Sequence, residues 1–329
     1  MTSRPIRWGA FVPQGWKLEY VGLSGAQAWA RSVEIARRAE AIGYDHVWVY
    51  DHVETVPRRE PSHVFEAWTM MAALAQCTTR VGLGQLVTCA GYRNAGLLAK
   101  QAACVDVMSG GRLIFGIGAG WYHEEYQAYG YEYLADRVRL QILDETLRAI
   151  KLLWIEEQST FAGTHVSLKE AFCDPKPLQQ LPPIWVGGEG EKITLRIAAE
   201  LADATNWQVG LDSFVHKSKV LGEHCERIGR DFNTINRTHG PDCRLFDTDA
   251  DVRRWLGSSE GGGLWNPGSR EDREVYLRDN FVGTAEQVGE KVQEFVDAGC
   301  REFVLWFRDA PSDHSLEAFA RDVIPRIRD

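Results

Sequence analysis

The 329-residue chain contains no Cys-x-x-C pair, no His-x-His or His-Glu-x-x-His spacing, no internal repeat and no low-complexity tract. Each absence narrows what it can do. Its seven cysteines, at 77, 89, 104, 173, 225, 243 and 300, are scattered and odd in number, which fits reduced thiols better than a disulfide framework or a zinc site. No apolar run approaches membrane-spanning length, and the opening Met1-Thr-Ser-Arg-Pro-Ile-Arg7 lacks the apolar core of a signal peptide. A cytoplasmic protein without a membrane partner is expected. Positive charge is also scarce: 37 Lys and Arg face 46 Asp and Glu, for a net charge of −9. Binding to phosphate backbones needs a basic surface, so nucleic acid is not the expected partner.

What is present is ordinary globular material, 44% hydrophobic and 25% charged. Its periodicity alternates strand and helix. Strands are expected over 6–12, 46–50, 80–88, 113–118, 184–187, 204–207, about 238–246, and 301–307. Helices are expected over 27–42, 66–76, 95–108, 137–155, 192–201, 214–228, 285–298 and 316–327. The first of these stops at Gly43, a suitable C-cap residue. Eight short strands, each followed by a helix, predict an α/β fold of the closed (β/α)8 TIM-barrel kind, one domain over 1–329, rather than an open sheet. Three stretches interrupt the pattern: 121–136; 156–183, with a small β-hairpin from Ser159 to Leu168; and 247–282, polar and glycine-rich around Gly261-Gly-Gly263.

In such a barrel the chemistry sits at the carboxyl ends of the strands. One exit stands out, Gly110-Gly-Arg-Leu-Ile-Phe-Gly-Ile-Gly-Ala-Gly-Trp-Tyr122, which leaves through glycines 116, 118 and 120 straight into aromatics. Bare backbone beside aromatic rings suits a planar ligand. It is a poor dinucleotide fingerprint, because the last glycine of Gly-x-Gly-x-x-Gly is replaced by Trp121 and no amphipathic helix follows. Asp51-His52 follows a second strand; a histidine exchanges protons near neutral pH, and a neighbouring carboxylate biases its protonation. A capping pair is the alternative. Gly187-Gly-Glu-Gly190 joins a strand to a helix, so free N–H groups and the helix dipole, with Lys192 and Arg196 nearby, would meet an anion. The alternative is a tight turn that needs glycine for geometry alone. His63, His123, Glu124 and Glu125 have no metal-binding spacing and read as surface residues, so no metal is expected. The twelve tryptophans and the tyrosines at 122, 126, 129, 131 and 133 divide between an apolar pocket and loop cores.

Taken in order, Val49-Tyr-Asp-His52, Glu66-Ala-Trp68, Leu83-Gly-Gln-Leu-Val-Thr88, Gly91-Tyr-Arg-Asn94, Ser109-Gly-Gly-Arg112, Gly118-Ala-Gly-Trp-Tyr122, Pro183-Ile-Trp-Val-Gly-Gly188 and Phe281-Val-Gly-Thr284 resemble the bacterial luciferase-like superfamily. The resemblance runs over nearly the whole chain and is closest to the coenzyme F420-dependent oxidoreductase branch. It implies a (β/α)8 barrel with an excursion after strand seven, a deazaflavin across the strand ends, and a homodimer. It also implies hydride transfer between C5 of F420 and a small organic substrate. On this resemblance His52 is the acid/base, held by Asp51. Gln85, Leu86, Thr88, Gly120, Trp121 and Tyr122 border the ring, and Gly187, Gly188, Glu189 and Lys192 hold the phosphate. Relatives often carry a non-proline cis peptide on strand three, which the motif places at about Gln85-Leu86. Two departures are visible: Ala95 stands where proline is usual, and the basic residues of sugar-phosphate-oxidising relatives have no counterpart. The alternatives are an FMN-dependent monooxygenase of the same superfamily and, further off, a metal-dependent barrel hydrolase built on Asp51, His52, His63 and Glu124.

Overall fold

A computed structural model describes residues 4–56, 58–258 and 270–328, so the glycine run at 261–263 lies outside the described residues. In chain order the strands are β1 (Arg7–Phe11), β2 (His46–Val49), β3 (Gly82–Gln85), β4 (Thr88–Cys89), β5 (Leu113–Gly118), β6 (Ser159–Ala162), β7 (Ser167–Ala171), β8 (Ile184–Gly187), β9 (Ala204–Trp207), β10 (Asn236–His239), β11 (Asp242–Leu245), β12 (Phe281–Gly283) and β13 (Glu302–Phe307). A parallel barrel runs β1-β2-β3-β5-β8-β9-β10-β13 and closes where β13 pairs with β1. Helices connect successive strands, and β6 and β7 form the antiparallel hairpin expected in the 156–183 stretch.

The first helix, Gly25–Ala41, shows why these segments coil. Ser24 caps its start in a reciprocal box with Gln27, and Ala28, Ser32, Ile35, Ala36 and Ala39 form one buried stripe against the barrel. Inside the barrel, Phe11, Trp48, Trp185, Val304 and Trp306 pack together. Small residues opposite large ones make the space: a Cβ at Gly84 would lie 2.3 Å from the Trp48 ring. Towards the amino-terminal end, His46 pairs with Glu302, which also accepts from Asn236 Nδ2 at 2.6 Å.

Two expected strands are corrected. The seventh, expected over 238–246, is two strands. Pro241 cannot donate to the ladder, so β10 ends at His239 and β11 leaves the barrel to pair with β12 and the end of β13. The excursion after strand seven therefore carries its own strand pair. The third, expected over 80–88, breaks into β3 and β4. Between the pairs Gly84↔Ile114 and Thr88↔Ile117 one strand advances four residues and the other three, so one residue is extra. The cis peptide lies at Leu86-Val87, one bond later than expected, and just before it Leu86 N still donates to Val49 O at 3.0 Å, prolonging the pairing with β2.

The strand-exit glycines are explained by this bulge. A Cβ at Gly116 would fall 1.9 Å from the Gln85 carbonyl oxygen, and Cβ atoms at Gly118 and Gly187 would each fall 2.7 Å from a Val87 methyl. Gly116→Ala is therefore expected to cost about 1–3 kcal/mol, as overpacking does. Urea unfolding reads this directly. A midpoint equal to that of the parent protein would show that the close approach does not constrain the fold.

Candidate active site

The carboxyl ends of the barrel strands surround a cavity of about 380 Å³, within the range of small-molecule sites. Its walls are aromatic. Phe11 and Tyr50, from the ends of β1 and β2, stack at 4.0 Å and 7°. Trp16 lies face to face with His52 at 4.0 Å and 4°. Trp121 and Tyr122 approach the same imidazole edge-on at 5.8 and 5.9 Å. Leu86, from the bulge, and the Gly187-Gly188-Glu189 turn complete the enclosure.

His52 is buried, and its Nδ1 lies 2.7 Å from Glu125 Oε2. Glu125 comes from the short helix His123–Ala128 after β5 and is fully buried. Its Oε1 accepts the Val53 and Glu54 N–H groups at 2.9 Å each, and its Oε2 also accepts the Tyr92 hydroxyl at 2.8 Å. Burial raises the Glu125 carboxyl, but the bonds to His52, the backbone and Tyr92 outweigh it and hold the group below its ordinary value. Burial pushes the Tyr92 hydroxyl well above its ordinary value, and Glu125 adds to that rise.

Asp51 does something else. Its carboxylate is gripped by both terminal nitrogens of Arg93, at 2.6 and 2.8 Å, and accepts the Cys89 N–H at 2.8 Å. Arg93 also reaches Glu66 at 2.7 Å, and Glu66 caps the helix Ala67–Cys77. The expectation that Asp51 holds His52 is thus corrected. Successive residues leaving β2 turn to opposite sides, so the Asp51 carboxylate meets Arg93 near the helix starts while the His52 ring meets Glu125, although both residues line the cavity.

At the far side of the cavity, β8 ends at Gly187. Gly188 adopts φ +127°, and the helix Thr194–Leu201 starts six residues later. A Cβ at Gly190 would press to 2.8 Å from Thr194 Oγ1, so a side chain there would displace the Thr194 hydroxyl. Lys217 supports it from outside, donating to the Glu189 carbonyl at 2.8 Å.

Of the expected residues, His52, Asp51, Leu86, Gly120, Trp121, Tyr122, Gly187, Gly188 and Glu189 do line the cavity. Three others do not. Gln85 and Thr88 turn into the barrel wall and hydrogen-bond each other, leaving Gln85 Nε2 without a hydrogen-bond partner among the described residues. Lys192 is exposed in the turn before the helix, which begins at Thr194 rather than at 192. Arg196 is engaged by Glu200 at 2.7 Å. His63 and Glu124 are exposed, and among the described residues no three His, Cys, Asp or Glu side chains converge as a metal site. The main residue that sequence reasoning missed is Glu125, taken for a surface group. Its signal was present: Tyr122, Glu125 and Tyr126 are spaced three and four apart, and all three are buried on one helical face. Trp16 carried no signal, since only the fold brings the loop after β1 onto His52.

The model of one protein family, luciferase-like monooxygenase, matches residues 12–302. An F420-dependent glucose-6-phosphate dehydrogenase of Kineococcus radiotolerans is 29% identical over 333 residues, covering 95% of this chain and 97% of the relative. An FMNH(2)-dependent dimethylsulfone monooxygenase of Pseudomonas putida is 23% identical, covering 99% and 96%. Among solved structures, an F420-dependent secondary alcohol dehydrogenase in complex with an F420-acetone adduct superposes with a TM-score of 0.80 at 23% identity, covering 99% of this chain and all of that one.

Because Asp51 is 1% exposed, its charge depends on Arg93. Arg93→Met should cost about 3–5 kcal/mol by leaving a buried carboxylate unpaired. Adding Asp51→Asn should restore part of that loss. A double-mutant cycle in urea measures the coupling, and a value near zero would mean that the pair does not fix these loops.

Proposed function

The chain belongs to the luciferase-like monooxygenase family, and within it we propose an oxidoreductase that moves a hydride between coenzyme F420 and a small organic substrate. The observation that carries this reading is the placement of His52. Its Nδ1 is held by Glu125, while the ring lines an aromatic cavity whose other end is the open glycine turn.

The residues fit a flavin-like cofactor. Flat aromatic walls suit a planar ring, and the 187–190 turn, leading into a helix, suits its phosphate. Bound there, a deazaflavin would supply a carbon centre that takes or gives a hydride, where FMN has nitrogen. The protein's part is then to orient and to move a proton. Tyr50 and Phe11 form one flat wall, Trp16 and Trp121 shield the imidazole from water, and His52 exchanges a proton with the substrate oxygen. The curated relatives named for F420 are 26–29% identical to this chain over most of its length, which supports F420 over FMN. Among the described residues no lysine or arginine lines the cavity. We therefore read the substrate as a small uncharged alcohol or carbonyl compound and do not extend the sugar phosphate of those relatives to this chain.

Fluorescence quenching on reconstitution separates the cofactors. Saturable F420 binding is expected; tight FMN binding with oxygen uptake from reduced FMN, and no F420 binding, would replace this reading with the monooxygenase one. His52→Ala should lower F420-linked turnover by about 10²–10⁴-fold, the scale of general acid–base catalysis, with F420 quenching preserved. Undiminished turnover would remove His52 from the chemistry.

A further inference from the structure

The Glu125 carboxylate receives a donor at every position it presents. Two backbone N–H groups meet Oε1, and the Tyr92 hydroxyl meets Oε2 beside the His52 nitrogen. Amide N–H groups can only donate, which makes Oε1 an acceptor, and the lowered carboxyl is ionised near neutral pH, which makes Oε2 one as well. A carboxylate that accepts from Nδ1 requires a hydrogen on Nδ1. In a neutral imidazole the other nitrogen then carries none.

From this arrangement we propose that Glu125 is the positioning residue of His52: it fixes the Nδ1–H tautomer and presents an unprotonated Nε2 to the cavity. The proposal rests on the reading of His52 as the proton-exchanging group and adds what prepares it. In the direction of alcohol oxidation, the substrate O–H proton passes to Nε2 while the carbon-bound hydride leaves for the cofactor. The substrate thus loses two electrons and two hydrogens and becomes a carbonyl compound. In the reverse direction the imidazolium returns the proton to the carbonyl oxygen. In both, Glu125 keeps its negative charge and stabilises the imidazolium without receiving the proton.

The groups around His52 leave this role to Glu125. Asp51, its neighbour in sequence, is matched by Arg93, and Glu54 by Arg59. Tyr92 bonds Glu125 itself, and burial raises the Tyr122 hydroxyl, so neither phenol competes as a charge near neutral pH. Glu124, the preceding residue of the helix, is exposed. Trp16 fixes the ring plane by stacking but cannot select which nitrogen is protonated.

Glu125→Gln reverses the logic while keeping the shape. The amide oxygen can still accept the Val53 and Glu54 N–H groups, but its NH₂ now donates to Nδ1 and sends the hydrogen to Nε2. The measurement is ¹⁵N-edited histidine NMR of the full-length protein, with His52 assigned by its loss in His52→Ala. The wild-type protein should show the Nδ1–H tautomer. In Glu125→Gln it should become Nε2–H. F420 quenching should be retained, and kcat should fall by about 10²–10⁴-fold, the loss that follows a wrong tautomer in a His–carboxylate pair.

An Nε2–H tautomer in the wild-type protein would overturn the proposal even if Glu125→Gln did not fold. So would a folded Glu125→Gln with an unchanged tautomer, as a purely structural role would give. Loss of turnover in His52→Ala beside such a result would leave the acid/base reading standing. Full turnover in His52→Ala would instead remove that reading, and with it the catalytic consequence assigned to Glu125.

Discussion

One buried carboxylate ties the mouth of this barrel together. Glu125 sits on the helix after β5, yet its partners come from the loop after β2 and from the segment that follows β4. A fully buried charge is tolerated only when its acceptor sites are filled, because desolvation otherwise costs several kcal/mol. The three segments are therefore obliged to adopt one mutual arrangement. His52 inherits its position from that requirement, and Trp16 completes it by covering the ring's face.

A second constraint acts on the backbone. The extra residue between β3 and β4 has to be placed somewhere, and it is placed against β5 and β8 where those strands have no side chains. Val87 fills the space left by Gly118 and Gly187, and the Gln85 carbonyl fills the space left by Gly116. Leu86 is thereby turned into the cavity. The glycine-rich exit thus serves the ligand indirectly: Gly118 and Gly120 line the cavity, while Gly116 serves the wall behind it.

The barrel was legible because its information is local. Helical stripes such as Ala28-Ile35-Ala39, and short apolar runs such as Val47–Val49, follow from periods that any window of the chain displays. The place of the chemistry was legible too, since strand exits can be named once strands are counted. What could not be read was which side chains turn inward at those exits. Gln85 and Thr88 belong to the right segment but face the wall, because the bulge changes the alternation of sides. Lys192 was expected inside its helix, which starts two residues later at Thr194. Pro241 was visible in the sequence, and its missing N–H was enough to end β10.

The pair Asp51-His52 shows why adjacency in sequence is a weak guide to chemistry. Extended backbone sends neighbours in opposite directions, so the two most suggestive residues of the chain enter separate networks. Asp51 joins Arg93 and Glu66, which ties the exit of β2 to the first turns of two helices: Glu66 caps one, and Asn94, next to Arg93, caps the other. In this network one guanidinium holds two carboxylates, and it meets the cavity through Asp51. His52 is left to a carboxylate 73 positions further on. Asp51 is gripped by a bidentate guanidinium, and the carboxylate in contact with the imidazole is Glu125, on the helix that follows Trp121 and Tyr122 at the cavity mouth. Any movement of that helix on ligand binding would change the aromatic enclosure and the placement of the His52 ring together.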